Sequence, residues 1–397
     1  MPAGPAHVAV VSFLAARAAP TGGFWIALAG GVALARTAER RGARLGFGAS
    51  AAAMLETVAI IGPARFGIPL TQAATAPMLG RLEARGVAVL PQILACAAIR
   101  LLHNAATTAF FIWVIAGGLD AYAGTYDAIG RRIGIEVGTA DALGLTVAGL
   151  VAWSAFASTM QVLVYRRGMH GWDRLAASAD DESDVDRDIG GQRNAREPAA
   201  ADRAAASGAA SQRRRLDPRA ITLAAAVGFA LLLSSTSWPL LGAVALALAI
   251  AWIAIPTERE PVPTGLVFAA ILAGGALVFA LGGGLGLDEA ARRATRAALL
   301  VMVATWMRAA AGAEGLREVA RRVLGKLRKL PAATEAALVL DQIPSEGRLA
   351  ASGRALADRL NGVEKRPMPF VDAVLAWVVR ESERGPQAGD RADTSRL

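Results

Sequence analysis

Cysteine is nearly missing from this sequence. Cys96 is the only one, which excludes an intrachain disulfide framework and a cysteine-based zinc cluster. Histidine is almost as scarce, with three residues scattered along the chain and no metal-ligand spacing among them. No "GxxxxGKS" phosphate loop, no "HExxH" and no paired-aspartate motif in the apolar regions is present. "LGGGLG" at 281–286 lacks the lysine and sits at the end of an apolar run, where it reads as a turn. Spacing names no nucleophile–base pair, so no catalytic residue, metal ligand or directly bound cofactor is assigned. Charge is also sparse. Only 19% of the 397 residues are charged, against about a quarter in soluble proteins. In its place stand 54% hydrophobic residues and long uncharged runs, of which 220–257 is the clearest. A run of ~20 apolar residues is enough to cross a bilayer. The composition therefore specifies an all-α polytopic membrane protein, with abundant Ala and Gly to let helices approach closely.

The formal charge of +9 is assigned to loops on the cytoplasmic side rather than to nucleic-acid binding. Arg36, Arg40, Arg41 and Arg44 mark one such loop, Arg166 and Arg167 another, and the "RRR" at 213–215 a third. Residues 5–19 lack a basic n-region and are interrupted by Arg17, so no cleavable signal is expected. Apolar segments near 6–19, 22–35, 45–62, 86–102, 105–119 and 141–165 give six spans in residues 1–167. The stretch 66–80, with Pro69 and Pro77, is expected to be re-entrant or on the surface. Residues 168–218 are poor in large apolar residues and rich in Ala, Ser, Gly and mixed charge, the composition of a flexible linker. Four more spans are expected within 219–312, making about ten in two bundles. Cytoplasmic helices should fill 313–384, with a disordered tail at 385–397 and both termini inside the plasma membrane.

Polar residues at membrane depth are the candidates for function, because each is costly there unless paired or hydrated. Glu56 lies within the third span. Arg100, His103 and Asn104 share one helix face. Gln92 precedes them on nearly the same face, while Arg65 and Gln72 flank a Gly–Pro stretch suited to exposing backbone around a cavity. One reading is a cavity in which Arg100 or Arg65 meets an anionic or polar solute. The other pairs Glu56 with Arg100 inside the bundle and lets Arg65 snorkel to headgroups.

Farther on, 314–330 reads as a basic amphipathic helix. Leu316, Val319, Val323 and Leu327 recur at helical spacing, while Arg317, Arg321 and Arg322 lie mostly elsewhere. It could lie on the membrane, pack on the chain's own spans, or dock a cytoplasmic partner. Three features in order carry a resemblance. Asp217-Pro218-Arg219 opens a run of closely spaced spans. The segment "ALLVMVATWMRAAAGAEGLREVARRVLGKLRKLP" leads from a span into long polar helices. A Pro-punctuated "AALVLDQIPSEGR" follows.

This order resembles the transmembrane (T) subunit of energy-coupling-factor (ECF) transporters, over residues 215–360. The N-terminal half, with "GPARFGIPLTQ" and "LPQILACAAIRLLHNAATTAFF", is similar to their substrate-binding (S) components. The resemblance implies a membrane component of an importer that binds a small solute, a vitamin or a metal among them. Its uptake would be driven by separate P-loop ATPase subunits, ATP being bound only there. In such a component the polar residues named above, Glu56, Arg65, Gln72, Arg100, His103 and Asn104, would face the solute. Arg317, Arg321, Arg322, Arg348 and Arg354 would contact the ATPases. One departure stands out: where the family carries an Ala-Arg-Gly coupling motif, this chain has "SEGRLAASGRALADRL". That favours a rival reading, a membrane scaffold that no longer couples to ATPases. A membrane-embedded enzyme acting on a lipid or prenyl substrate is a further alternative.

Overall fold

A computed structural model describes residues 3–19, 22–63, 68–132, 134–190, 216–344, 346–363 and 366–384. Every regular element among them is helical. The chain begins with α1 (Ala3–Ala18), α2 (Gly23–Arg41), α3 (Ala43–Ile61) and α4 (Ile68–Ala84). Next come α5 (Val89–Phe110), continued by a π-helical turn (Phe111–Ala116), then α6 (Leu119–Arg132) and α7 (Thr139–Gly190). After the segment 191–215 follow α8 (Pro218–Ser234), α9 (Trp238–Ala254), α10 (Pro261–Gly282) and α11 (Leu287–Lys326). The last helices are α12 (Pro331–Gln342), α13 (Glu346–Leu360) and α14 (Pro367–Arg384).

Five helices are long and apolar enough to cross a membrane: α3, α5 with its π turn, α7 up to Ala177, α10 and α11. Two more, α8 and α9, are apolar but only 17 residues long. This is the helical membrane architecture expected, with fewer candidate spans than the ten counted from hydropathy. α1 is 16 residues long and α2 carries Arg36, Glu39, Arg40 and Arg41 in its last turns, so neither is among the five. Val8, Val10 and Phe13 of α1 and Leu28, Val32 and Leu34 of α2 are buried among other helices. Their apolar surface serves a protein core rather than a lipid face.

The stretch expected to be re-entrant or superficial is instead a packed helix. α4 runs straight through Pro77 and packs on α2 and α3. A proline removes the N–H that the carbonyl four residues earlier would accept. Here that carbonyl belongs to Ala73, and Ser50 Oγ on α3 donates to it at 2.6 Å. A neighbouring hydroxyl thus replaces the lost bond, which is how a buried helix tolerates proline.

Helix also occupies 168–190, where a linker was expected to begin, because α7 continues to Gly190 with Met169 and Trp172 buried on its inner side. The remaining linker residues, 191–215, lie outside the described residues, as does the tail 385–397.

The two halves of the sequence do not form separate bodies. One core unites α1–α4 and α7 with α12, α13 and α14. His7 Nε2 on α1 meets Ser352 Oγ on α13 at 3.0 Å. The short apolar run 371–379 forms part of α14, and Val371, Val374, Leu375, Val378 and Val379 are all buried there.

Where α4 ends, Glu83 gathers three partners. Gln92 Nε2 donates to it at 2.6 Å, His170 Nε2 lies at 2.8 Å and Arg166 pairs with it at 3.3 Å. Burial pushes the Glu83 carboxyl up, but the hydrogen bonds with Gln92 and His170, together with the Arg166 and His170 charges, hold it below its ordinary value. With a folded pKa below the unfolded one, the contribution is present above the unfolded pKa and lost as pH falls through the folded one. Thermal melting between neutral and acidic pH should therefore fall more steeply for wild type than for Glu83→Gln.

α11 is broken at Gly312, whose φ of 69° and ψ of 167° lie where only glycine is comfortable. Before the break α11 packs on α8 and α10. After it Arg317 reaches α3, and the helix leads to α12. Gly312→Ala should cost about 1–3 kcal/mol, measured as a lowered unfolding midpoint in detergent.

Candidate functional site

Two clusters of buried polar residues stand out, apart from Arg296 on α11, whose Nη2 donates to the Val114 carbonyl. The first is the seam between α5 and α7, which run antiparallel. Asn104 Nδ2 donates to Ser154 Oγ at 3.2 Å, and one turn earlier on α5 Arg100 Nη2 donates to Gln161 Oε1 at 2.7 Å. Gln161 Nε2 in turn donates to Thr75 Oγ1 on α4 at 2.8 Å, and Thr75 Oγ1 donates to the Thr71 carbonyl at 2.7 Å. This relay fixes the amide orientation of Gln161, so that its oxygen faces the guanidinium.

Arg100 is 6% exposed, and no carboxylate pairs with it among the described residues. Its Nε has no hydrogen-bond partner. The same holds for Ser158 Oγ, between Ser154 and Gln161 on α7, and for Gln72 Oε1, one turn before Thr75 on α4. Arg100 and Ser158 are thus held inside candidate membrane segments with unused hydrogen-bonding capacity, and Gln72 Oε1 on α4 is buried without a partner as well. Such groups are costly there and mark sites that receive something polar. His103 stands beside Arg100, half-buried.

The second place is the break in α11. Glu56 on α3 is fully buried and accepts from Arg317 Nε at 2.7 Å, with Arg317 Nη2 on its other oxygen. Arg317 Nη1 also donates to Glu314 at 2.7 Å. On the other side of Gly312, Arg308 Nε donates to the Ile60 carbonyl at 2.7 Å and Nη1 to Glu258 at 2.6 Å. Two arginines flanking the break thereby fasten both arms of α11 to the end of α3.

Of the residues singled out in the sequence, Arg100 and Asn104 share the α5–α7 seam with Gln72 near its α4 side. The Glu56–Arg100 pair does not form. Glu56 is neutralised by Arg317 instead, a contact spanning 261 positions that no local pattern announces. Arg65 lies outside the described residues. Among the arginines expected to face a partner, Arg317 is buried. Arg321 pairs with Asp341 at 2.6 Å, and Arg322 pairs with Glu318. Arg348 and Arg354 are exposed on α13.

Sequence reasoning missed the α7 side of the seam. Its signal was present: Ser154, Ser158, Gln161 and Tyr165 recur at one-face helical spacing inside an apolar run. It also missed a cavity of about 420 Å³ between α5, α6, α7 and α10, walled by Phe111, Tyr122, Tyr126 and Phe279 with Thr107 and Thr146. Tyr122 Oη lies 2.7 Å from Thr146 Oγ1, and the Phe111 and Phe279 rings meet edge-to-face at 5.0 Å. Thr107 is two helical turns along α5 from Arg100, roughly 10 Å at 1.5 Å per residue. The cavity therefore lies along the same helix that carries the buried arginine.

No family model, curated protein or solved structure is detectably similar to this chain. Fold and site together define a class, a helical membrane protein with a polar seam between two candidate spans. No relative narrows that class further.

Proposed function

We propose that the chain is the membrane component of an energy-coupling-factor-type importer, binding a small anionic or polar solute at the α5–α7 seam. Arg100 carries the reading: a buried guanidinium with a neutral amide for its partner needs an anion to balance it. In this reading Asn104, His103 and Gln72 bound the same site, and the aromatic cavity along α5 is its antechamber. Both termini and helices α12–α14 lie on the cytoplasmic side of the plasma membrane. Separate P-loop ATPase subunits dock on the exposed face of α13 bearing Arg348 and Arg354. Their movement is transmitted through the break at Gly312 to α3.

The reading rests on three supports: the unneutralised Arg100, the glycine break flanked by Arg308 and Arg317, and the arginines exposed on α13. The engagement of Arg317, Arg321 and Arg322 with carboxylates of the chain itself favours the second reading, a scaffold without ATPases.

Two experiments separate these. Pull-down from the native host in mild detergent should recover a P-loop ATPase pair with wild type and lose it with Arg348→Ala/Arg354→Ala. Recovery with neither would make the scaffold reading the better one. For the solute site, Arg100→Met removes a buried charge without leaving its neutral partner ionised. It should keep or raise the melting temperature, as replacing buried charge by an apolar group often does. Uptake of the solute should be abolished at the same time. A variant that melts early would place Arg100 in packing rather than binding.

A further inference from the structure

A second cleft opens where the C-terminal end of α2 meets α1, α7 and α14. It encloses about 290 Å³ and is lined by Arg36, Arg40 and Arg41 of α2, Trp172 and Asp173 of α7, and Ser382 of α14. Glu383 also lines it and accepts from Trp172 Nε1 at 2.8 Å. Two buried polar atoms of the lining have no hydrogen-bond partner, Arg36 Nε and Ser382 Oγ. Arg41 is exposed and has no carboxylate partner among the described residues. Arg41 is thus the guanidinium open to the cleft without a carboxylate, while Arg36 Nε and Ser382 Oγ are enclosed donors without a partner.

The donors in use converge on one group. Asp173 accepts from Arg36 Nη2 at 3.1 and 3.2 Å and from Arg40 Nη2 at 2.8 and 2.9 Å. Glu39 takes the other terminal nitrogen of Arg36 at 2.7 Å. The Asp173 side chain is 74% exposed, and an ion pair so open to water adds little to stability. Yet its two oxygens hold two guanidiniums at a fixed point inside a cleft. A tetrahedral phosphate offers more acceptor oxygens than a carboxylate. It could engage Arg41 together with the Arg36 and Arg40 terminal nitrogens that Asp173 now holds, the multidentate recognition that suits arginine.

We infer that this cleft binds an anionic phosphate group, with Asp173 as an internal carboxylate competing for the same guanidiniums. This inference is independent of the transport reading, since none of its residues belongs to the α5–α7 seam. The phosphate could belong to a lipid headgroup or to a soluble ligand, and the two sources are separable. The full chain would be placed in phosphatidylcholine nanodiscs containing a minor fraction of phosphatidylglycerol, and lipid retained on release counted by native mass spectrometry. In pure phosphatidylcholine nanodiscs, inorganic pyrophosphate would be titrated by calorimetry.

Asp173→Asn removes the competitor and should tighten binding roughly fivefold, the equivalent of one exposed ion pair. Arg40→Gln/Arg41→Gln should weaken it roughly tenfold or more, as loss of hydrogen bonds to a charged group does. Its melting curve should stay unchanged. A response to phosphatidylglycerol alone assigns a lipid site, and a response to pyrophosphate assigns a soluble one. Absence of binding to both, or an Asp173→Asn variant no tighter than wild type, overturns the inference. Should Asp173→Asn fail to fold, equal binding by wild type and the arginine double variant overturns it by itself.

Discussion

Glu56→Ala is expected to be the most damaging single substitution in the chain, lowering stability by about 3–5 kcal/mol. Glu56 is fully enclosed, and both of its oxygens are engaged by Arg317, itself 8% exposed. Removing the carboxylate strands a guanidinium in surroundings that cannot solvate it, and Glu314 meets only its Nη1. Removing both charges is a different matter. Glu56→Leu/Arg317→Met should recover most of the loss, because a buried pair balances desolvation against attraction and apolar replacements avoid both. Thermal unfolding in detergent, followed by tryptophan fluorescence, would measure the full cycle. Equal melting of wild type and Glu56→Ala would mean that water reaches the pair. On the proposed importer reading, the double variant should be stable yet impaired in uptake, since the Glu56–Arg317 tie between α3 and α11 beyond Gly312 would be gone.

Gly80→Ala should be the second large effect. A Cβ at this position of α4 would lie 1.9 Å from the Ala35 carbonyl oxygen of α2, a backbone atom with no rotamer to escape into. The two helices would have to separate, and overpacking of this kind costs about 1–3 kcal/mol. The cost would fall on a contact that buries Ala76 and Leu79 of α4 and Leu34 and Ala35 of α2. Gly144→Ala provides the contrast. Nothing lies within 4 Å of a Cβ there, and the position is in the second turn of α7. It should be neutral or stabilising by about 0.5–1 kcal/mol through helix propensity. Unfolding midpoints of the two variants, measured side by side, separate close packing from propensity. Comparable midpoints would mean that α2 and α4 do not approach as closely as they do here.

Much of the architecture could be read from local pattern. The apolar run from 264 to 285 became α10, and the Asp217–Pro218 start became an N-cap, with Asp217 Oδ1 accepting from the Arg219 N–H at 2.9 Å. Such features depend on residues within a turn or two of each other. Arg100 and Asn104 were likewise visible as polar residues sharing a face inside an apolar run.

Other features lay beyond any local signal. Hydropathy cannot tell an apolar helix facing lipid from one enclosed by protein, so the burial of α1 and α2 among other helices had no local signal. Pro77 argued against a packed helix until Ser50, on another element, supplied the missing hydrogen bond to Ala73. The partner of Glu56 was decided by the path of α11 after Gly312. The cleft at Arg36, Arg40 and Arg41 required α7 and α14 to arrive beside α2. The sequence by itself determined a helical membrane chain and which polar residues it commits to apolar surroundings, because hydrophobicity and helical period are local properties. Which of those residues neutralise one another, and which are left open to a ligand, was decided only by tertiary structure. Charges far apart in the chain meet only when their helices pack.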